Sequence, residues 1–184
     1  MKLLLCISGA SGVVYGERLL RVLSEMEDVV VDLVISNAAE QMIELELDVD
    51  KEELSSLAHN EFKPDEMDAP PASGSSLYDG VIVIPCSVST LSKIATGVAD
   101  NLITRSSAVA LKEGRKLILV PRETPLSKIH LENMVAISEA GGIVLPACPA
   151  FYGDPQDIMD LVDFVVGKLL DCLGLEHGVY KRWD

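Results

Sequence analysis

Five short apolar runs, at residues 2–7, 29–35, 80–85, 116–120 and 142–145, constrain this chain more than any other feature. Each has strand length, and the run at 80–85 lacks the polar alternation of a half-solvated strand, as a strand buried on both faces would. Segments of helical periodicity separate them. Strands that alternate with helices imply an α/β fold around a parallel sheet, because a parallel partner needs a crossover long enough to carry a helix. Helices are expected at 13–25, from Ser36 or Asn37 to about residue 45, from Lys51 to about His59, and at 89–95, 100–112, 127–140 and 157–173. Residues 48–79 differ: they are acidic, hold several prolines and end in Ala69-Pro70-Pro71-Ala72-Ser73-Gly74-Ser75-Ser76. Outside the helix at Lys51 they read as loop, long enough to suggest a function. No internal repeat marks a second unit, so residues 1–184 are read as one domain, able to bury a sizeable core.

Charge narrows the partners. Fifteen Lys and Arg against 29 Asp and Glu leave a formal net charge of −14. Such a surface repels phosphate backbones and anionic bilayers, so neither nucleic acid nor membrane is an expected partner. Any anionic ligand must be held by a local concentration of the few basic residues. Mean hydropathy is +0.29, high for a chain without an apolar run near the ~20 residues of a membrane span. Subunit contact or a tight α/β core would each account for it. Residues 1–7 imitate the start of a signal peptide, but the apolar run stops at Ser8-Gly9-Ala10-Ser11-Gly12, which reads as a first strand entering a glycine turn, and a cytoplasmic location is expected. Cys6, Cys86, Cys148 and Cys172 have no metal-ligand or CxxC spacing and read as buried reduced thiols. His59, His130 and His177 are scattered, and no metal site is expected.

Ligands of open parallel sheets bind at the carboxyl ends of the strands, which here are residues 8–12, Ser36, 85–90, 121–123 and 146–152. Gly9-Ala10-Ser11-Gly12 offers close backbone approach and helix-start amides suited to an anion, although the same residues suit a plain tight turn. It is neither the dinucleotide pattern nor a P-loop. Ser87-Val88-Ser89-Thr90 offers hydroxyls and helix-start amides for a phosphate or a ribityl chain, or simply caps a helix. Arg122 and Glu123 directly follow a central strand, where charges seldom sit without a partner; Arg122 suits a phosphate and Glu123 a proton transfer. Arg105 and Lys112 are seven residues apart on one helix and share a face, which also suits simple solvation. Glu44 and Glu46 end a helix, where surface carboxylates are common. Tyr152 and Trp183, the one tryptophan, suit packing or a cationic substrate.

Taken together the segments resemble the UbiX flavin prenyltransferases. The resemblance runs through Ile7-Ser8-Gly9-Ala10-Ser11-Gly12-Val13-Val14-Tyr15-Gly16, the Ala69–Ser75 stretch, Ser89-Thr90-Leu91-Ser92-Lys93-Ile94-Ala95-Thr96-Gly97 and Val120-Pro121-Arg122-Glu123-Thr124-Pro125. It continues through Ile129-His130-Leu131-Glu132-Asn133-Met134, Pro149-Ala150-Phe151-Tyr152 and Leu161-Val162-Asp163-Phe164-Val165-Val166, in order over nearly the whole chain. It implies a Rossmann-like (flavodoxin-like) three-layer fold, and transfer of a dimethylallyl group from dimethylallyl monophosphate to N5 and C6 of reduced FMN without a metal. The implied product, prenylated FMN, serves a UbiD-type decarboxylase, and the implied assembly is a homo-oligomer, typically a dodecamer. By matching motif, Gly9, Ala10, Ser11, Ser36, Ser87, Val88, Ser89, Thr90 and Arg122 would hold the flavin. Arg105, Lys112, Arg122, Tyr152, Lys168 and Trp183 would meet the prenyl phosphate, and Ser11, Glu46, Lys112 and Glu123 would serve the chemistry. Two positions depart from the pattern: Asn37 follows Ser36 where Lys is usual, and Lys168 stands where some relatives have Arg. Two other readings compete. FMN-dependent cysteine decarboxylases of the phosphopantothenoylcysteine type share the fold, but their Asn and Pro-x-Met-Asn segments are replaced here by Ser89 and Pro121-Arg122-Glu123-Thr124. A non-catalytic flavin carrier is the other.

Overall fold

The computed structural model describes residues 1–183. The sheet is built from β1 (Lys2–Ile7), β2 (Val30–Ile35), β3 (Asn60–Phe62), β4 (Gly80–Cys86), β5 (Lys116–Pro121) and β6 (Ile143–Val144), all parallel, in the order β3-β2-β1-β4-β5-β6. Helices α1 (Val13–Ser24), α2 (Asn37–Glu46), α3 (Lys51–Ser56), α4 (Val88–Ala95), α5 (Leu102–Lys112), α6 (Lys128–Glu139) and α7 (Ile158–Leu173) cover its two faces. Alternation along β1 divides the core. Leu3, Leu5 and Ile7 pack with α1 and α7, whereas Leu4 and Cys6 pack with α4 and α5 on the other face. This is the α/β fold with a parallel sheet expected from the alternating strands and helices, in the three layers implied by the resemblance.

The strands that read most clearly are the central ones. Every residue of β4 is buried, so its sequence is continuously apolar, as two covered faces require. Within the stretch whose sequence reads as loop, the edge triplet Asn60-Glu61-Phe62 forms β3 and pairs with Asp32, Leu33 and Val34 of β2. The helix begun at Lys51 ends at Ser56 rather than near His59, because the chain turns into that strand. Asp32 lies inside β2, fully buried, and its carboxylate accepts bonds from Tyr78 Oη at 2.5 Å and Asn60 Nδ2 at 2.7 Å, with Lys2 Nζ at 3.3 Å. Three donors thus meet this buried carboxyl group.

α1 begins at Gly12, whose φ of 98° lies in the left-handed region that favours glycine. One turn later a Cβ at Gly16 would meet Ile84 O at 2.5 Å, so glycine lets α1 approach β4 closely. α6 is unlike the other long helices. Only Ile137 on it is buried, while Ile129 is 67% and Val135 55% exposed. Phe151 and Ile158 also stand out in solvent. The apolar surplus of the sequence therefore lies partly outside the core. Among the described residues no helix is long and apolar enough to cross a membrane.

Candidate active site

Sheet order reverses between β1 and β4: β1 leads out to β2 on one side, and β4 leads out to β5 on the other. The loops leaving these two strands diverge and leave a crevice at their carboxyl ends. A cleft of about 620 Å3 occupies it, within the usual range for small-molecule sites. Gly9, Ala10 and Ser11 line it from β1, Ser36 from β2, residues 87–90 from β4, and Arg122 with Glu123 from β5. Ala38 and Met42 of α2 add apolar wall. A Cβ at Gly9 would collide with that of Ala38, so the turn exists in this form because residue 9 has no side chain.

Hydrogen bonds fix the floor of the cleft. Ser8, buried at the end of β1, donates through Oγ to Pro85 O at 2.9 Å and accepts from Ser87 N at 2.8 Å. It thus stitches the β1 and β4 loops together. Sequence reasoning included Ser8 in the strand-end segment but gave it no role; its only signal was a hydroxyl at the last position before the glycine turn. Ser36 caps α2 by accepting from Ala39 N at 3.2 Å, and Ser87 caps α4 by accepting from Thr90 N at 3.2 Å. The first amides of these helices have no intrahelical acceptor, and they open on the cleft with the macrodipole's positive end. Arg122 donates from Nε to Ser11 O at 2.8 Å, which ties β5 to the glycine turn.

The start of α1 is arranged differently. Its amides were expected to suit an anion, and an anion is there, but it belongs to the chain. Glu46 Oε2, at the last residue of α2, accepts from Gly12 N at 2.7 Å and Val13 N at 3.2 Å. Gly12 has no side chain to cap the helix, so a carboxylate distant in sequence does so.

The remaining expected residues lie in two other places. Tyr152 stands beyond the end of β6 with its ring 4.9 Å from that of Trp183 and 5.9 Å from Phe164, both edge to face. Lys168, on α7, has Nζ 3.4 Å from the Asp171 carboxylate. Arg105 and Lys112 do share a face of α5, the one turned to the loop before β4: Arg105 Nε donates to Ala72 O at 3.0 Å, and Lys112 pairs with Glu113 beside Gly74. α5 runs antiparallel to the strands, however, so Lys112 ends beside the start of β5. It is removed from the cleft by the length of that strand, on the order of 17 Å at about 3.3 Å per residue. One protomer alone does not bring Lys112 to Arg122.

The thiols divide. Cys6 and Cys86 are buried, and burial pushes the Cys6 thiol up to about 12 against a weaker opposing bond from Ser106. Cys148 is exposed and Cys172 half-buried, so the expectation of four buried thiols holds for only the two strand cysteines. Cys148 lies in the irregular segment after β6. Among the described residues no group of three or more His, Cys, Asp or Glu is arranged for a metal ion.

A family model described as Flavoprotein matches residues 1–170. The flavin prenyltransferase UbiX of Methanocaldococcus jannaschii is 50% identical over 183 residues, covering 100% of this chain and 98% of the relative. The chain belongs to the UbiX flavin prenyltransferase family. Solved structures agree. A dodecameric FMN-dependent UbiX-like decarboxylase from Escherichia coli O157:H7 has TM-score 0.98 at 47% identity, with 100% of each chain covered. AnUbiX, solved with FMN and dimethylallyl pyrophosphate, has TM-score 0.97 at 42% identity, with 100% of this chain and 97% of that one covered. The UbiX family thus supplies the Rossmann-like, flavodoxin-like fold implied by the sequence motifs.

Proposed function

We propose that this chain, acting as one flavin-binding domain over residues 1–184, transfers a dimethylallyl group from dimethylallyl monophosphate to N5 and C6 of reduced FMN. The observation that carries the reading is the cleft at the β1/β4 reversal, with its hydroxyls, open helix starts and Arg122, on a chain of this family. The cleft fits the flavin chemically: small residues at Gly9 and Ala10 admit a ring against backbone, and Ser36, Ser87, Ser89 and Thr90 match a ribityl chain and phosphate.

Reduced FMN, as a substrate, would supply the nucleophilic N5 and then C6. The residues of the chain handle the charges. As the allylic C–O bond breaks, phosphate departs with the electron pair, and Arg105, Lys112, Arg122 and Lys168 are the cations assigned to it. Tyr152 and Trp183 offer aromatic faces to the positive allylic carbon. Bond formation at N5 releases the N5 proton, which the departing phosphate can take; closing the second ring then requires one proton to reach the prenyl double bond and one to leave C6. We assign these transfers to Glu123 and Ser11, which both line the cleft. Glu46, assigned to acid–base work by the resemblance, is here given the cap of α1 as its first role.

The distance of Lys112 from the cleft favours a site completed by a second protomer, and the exposed apolar side chains of α6 favour a homo-oligomer. We assign the chain to a dodecamer on the likeness to the dodecameric relative, to the cytoplasm, and to the supply of prenylated FMN to a UbiD-type decarboxylase. The test is transfer. Reduced FMN and dimethylallyl monophosphate are incubated with the protein without oxygen, and the small-molecule filtrate is added to a UbiD-type apo-decarboxylase. Restored decarboxylation supports the reading; a filtrate no better than FMN itself would overturn it.

A further inference from the structure

Asp171 occupies the last turn of α7 and gathers four donors. Tyr180 Oη lies at 2.8 Å, Arg182 Nη2 at 2.8 Å, His177 Nε2 at 3.1 Å and Lys168 Nζ at 3.4 Å. Three of the four come from the segment after Gly174, a left-handed residue with φ 79° that turns the chain back along the helix. Burial of the carboxylate opposes its ionisation, but the bonds from Arg182, Tyr180, His177 and Lys168 outweigh it and hold the group well below the usual carboxylate range. One turn earlier on the same face stands Gly167. A Cβ there would collide with the Tyr180 ring and come within 2.9 Å of His177 Cε1. Glycine inside a helix costs about 1 kcal/mol relative to alanine; here the missing side chain is the seat of Tyr180. From Tyr180 a row of edge-to-face contacts runs through Phe164 at 5.2 Å and Tyr152 to Trp183.

We propose that Asp171 is a positioning residue for the prenyl-phosphate end of the site. Through Tyr180, His177 and Arg182 it straps residues 175–183 onto α7, and the strap sets Trp183 against Tyr152, while Lys168 shares the Asp171 carboxylate. The inference rests on the reading of Tyr152, Lys168 and Trp183 as substrate contacts, and it assigns Asp171 no contact with substrate. The charges suit the task. Two cations, Lys168 and Arg182, share the Asp171 carboxylate, so both are held at one place by a single anion. Without the carboxylate, the two cations repel and the strap loses its anchor.

Trp183 is the chain's one tryptophan, so its fluorescence reports the strap directly. The full-length protein is compared with Asp171→Ala and Gly167→Ala; the second variant blocks the seat of Tyr180 while favouring the helix, which guards against simple misfolding. Expected in both are a larger fast component in the Trp183 anisotropy decay, quicker tryptic cleavage at Lys181 and Arg182, and a severalfold rise in KM for dimethylallyl monophosphate that exceeds any fall in kcat. FMN affinity stays within twofold of wild type. Unchanged Trp183 anisotropy in both variants overturns the inference, as does a freed strap with unchanged KM. If the wild-type protein leaves the flavin unmodified, the underlying functional reading fails, and the positioning role falls with it. If wild type reacts and the variants keep its KM, the positioning role alone falls.

Discussion

Replacing Glu46 separates its structural role from its assigned chemistry. Its carboxylate accepts two amides at the start of α1, at 2.7 and 3.2 Å, and Gly12 makes no side-chain cap of its own. Losing a capping side chain costs roughly 0.5–2 kcal/mol. Because Glu46 is exposed, water replaces part of what is lost, and about 1 kcal/mol is expected for Glu46→Ala. Of this, about 0.3–1 kcal/mol is the charge acting on the helix dipole. Glu46→Gln, which keeps a neutral acceptor, should therefore lose only this charge contribution, about 0.3–1 kcal/mol, and no more than Glu46→Ala. In thermal terms, Glu46→Ala lowers Tm by about 2–4 °C for a chain of this size. The assay is urea or thermal unfolding at one fixed protomer concentration, since an oligomer's stability depends on it. Added salt should shrink the difference between Gln and Glu by screening an exposed charge. Equal stability of Glu46→Ala and wild type would refute the capping argument. A stability loss in Ala with full recovery in Gln, yet no activity in either, would assign the carboxylate to the chemistry as well.

Gly9→Ala forces the β1 turn away from Ala38, and overpacking of about 1–3 kcal/mol should weaken FMN binding by about tenfold or more in a fluorescence titration. Tyr78→Phe removes one donor from a fully buried carboxylate; a loss of about 1.5–3 kcal/mol is expected in urea unfolding. The strap should resist acid. Arg182, Tyr180, His177 and Lys168 overcome burial to favour ionised Asp171 in the folded chain, so its contribution is complete above the ordinary value of 3.8 and fades as pH falls through the lower folded value. Trp183 anisotropy should hold constant from about pH 6 to about pH 4 and drop only below that; a transition above about pH 4 would refute the assignment to Asp171. Mixing Lys112→Ala and Glu123→Gln protomers should restore part of the activity that each variant lacks, because a site built across protomers gives some mixed sites with both residues intact. No recovery, with exchange of protomers demonstrated, would contradict a site built across protomers.

Much of this was legible in the sequence because the informative positions are local. β4 is buried on both faces, so its apolar run is unbroken, and its carboxyl end carries the hydroxyls that cap α4. The same logic led to Ser36 and Arg122. β3 was missed because three edge residues, two of them polar, carry neither period nor apolar run. Glu46 reads as a surface carboxylate because the amides it caps lie 34 residues away, and no local pattern records that contact. Spacing placed Arg105 and Lys112 on one face of α5, but the direction of the helix decides which end of the sheet each reaches. Asp171 was silent for a related reason: its donors come from a segment that folds back only because Gly174 reverses the chain and Gly167 leaves room.

The most direct test is the mass of the flavin after anaerobic incubation of the protein with FMN, dithionite and dimethylallyl monophosphate, repeated with the pyrophosphate. The account predicts a gain of one C5 prenyl unit, lost in Arg122→Ala and in Glu123→Gln. Flavin bound in the cleft yet unchanged in mass with both donors would contradict it.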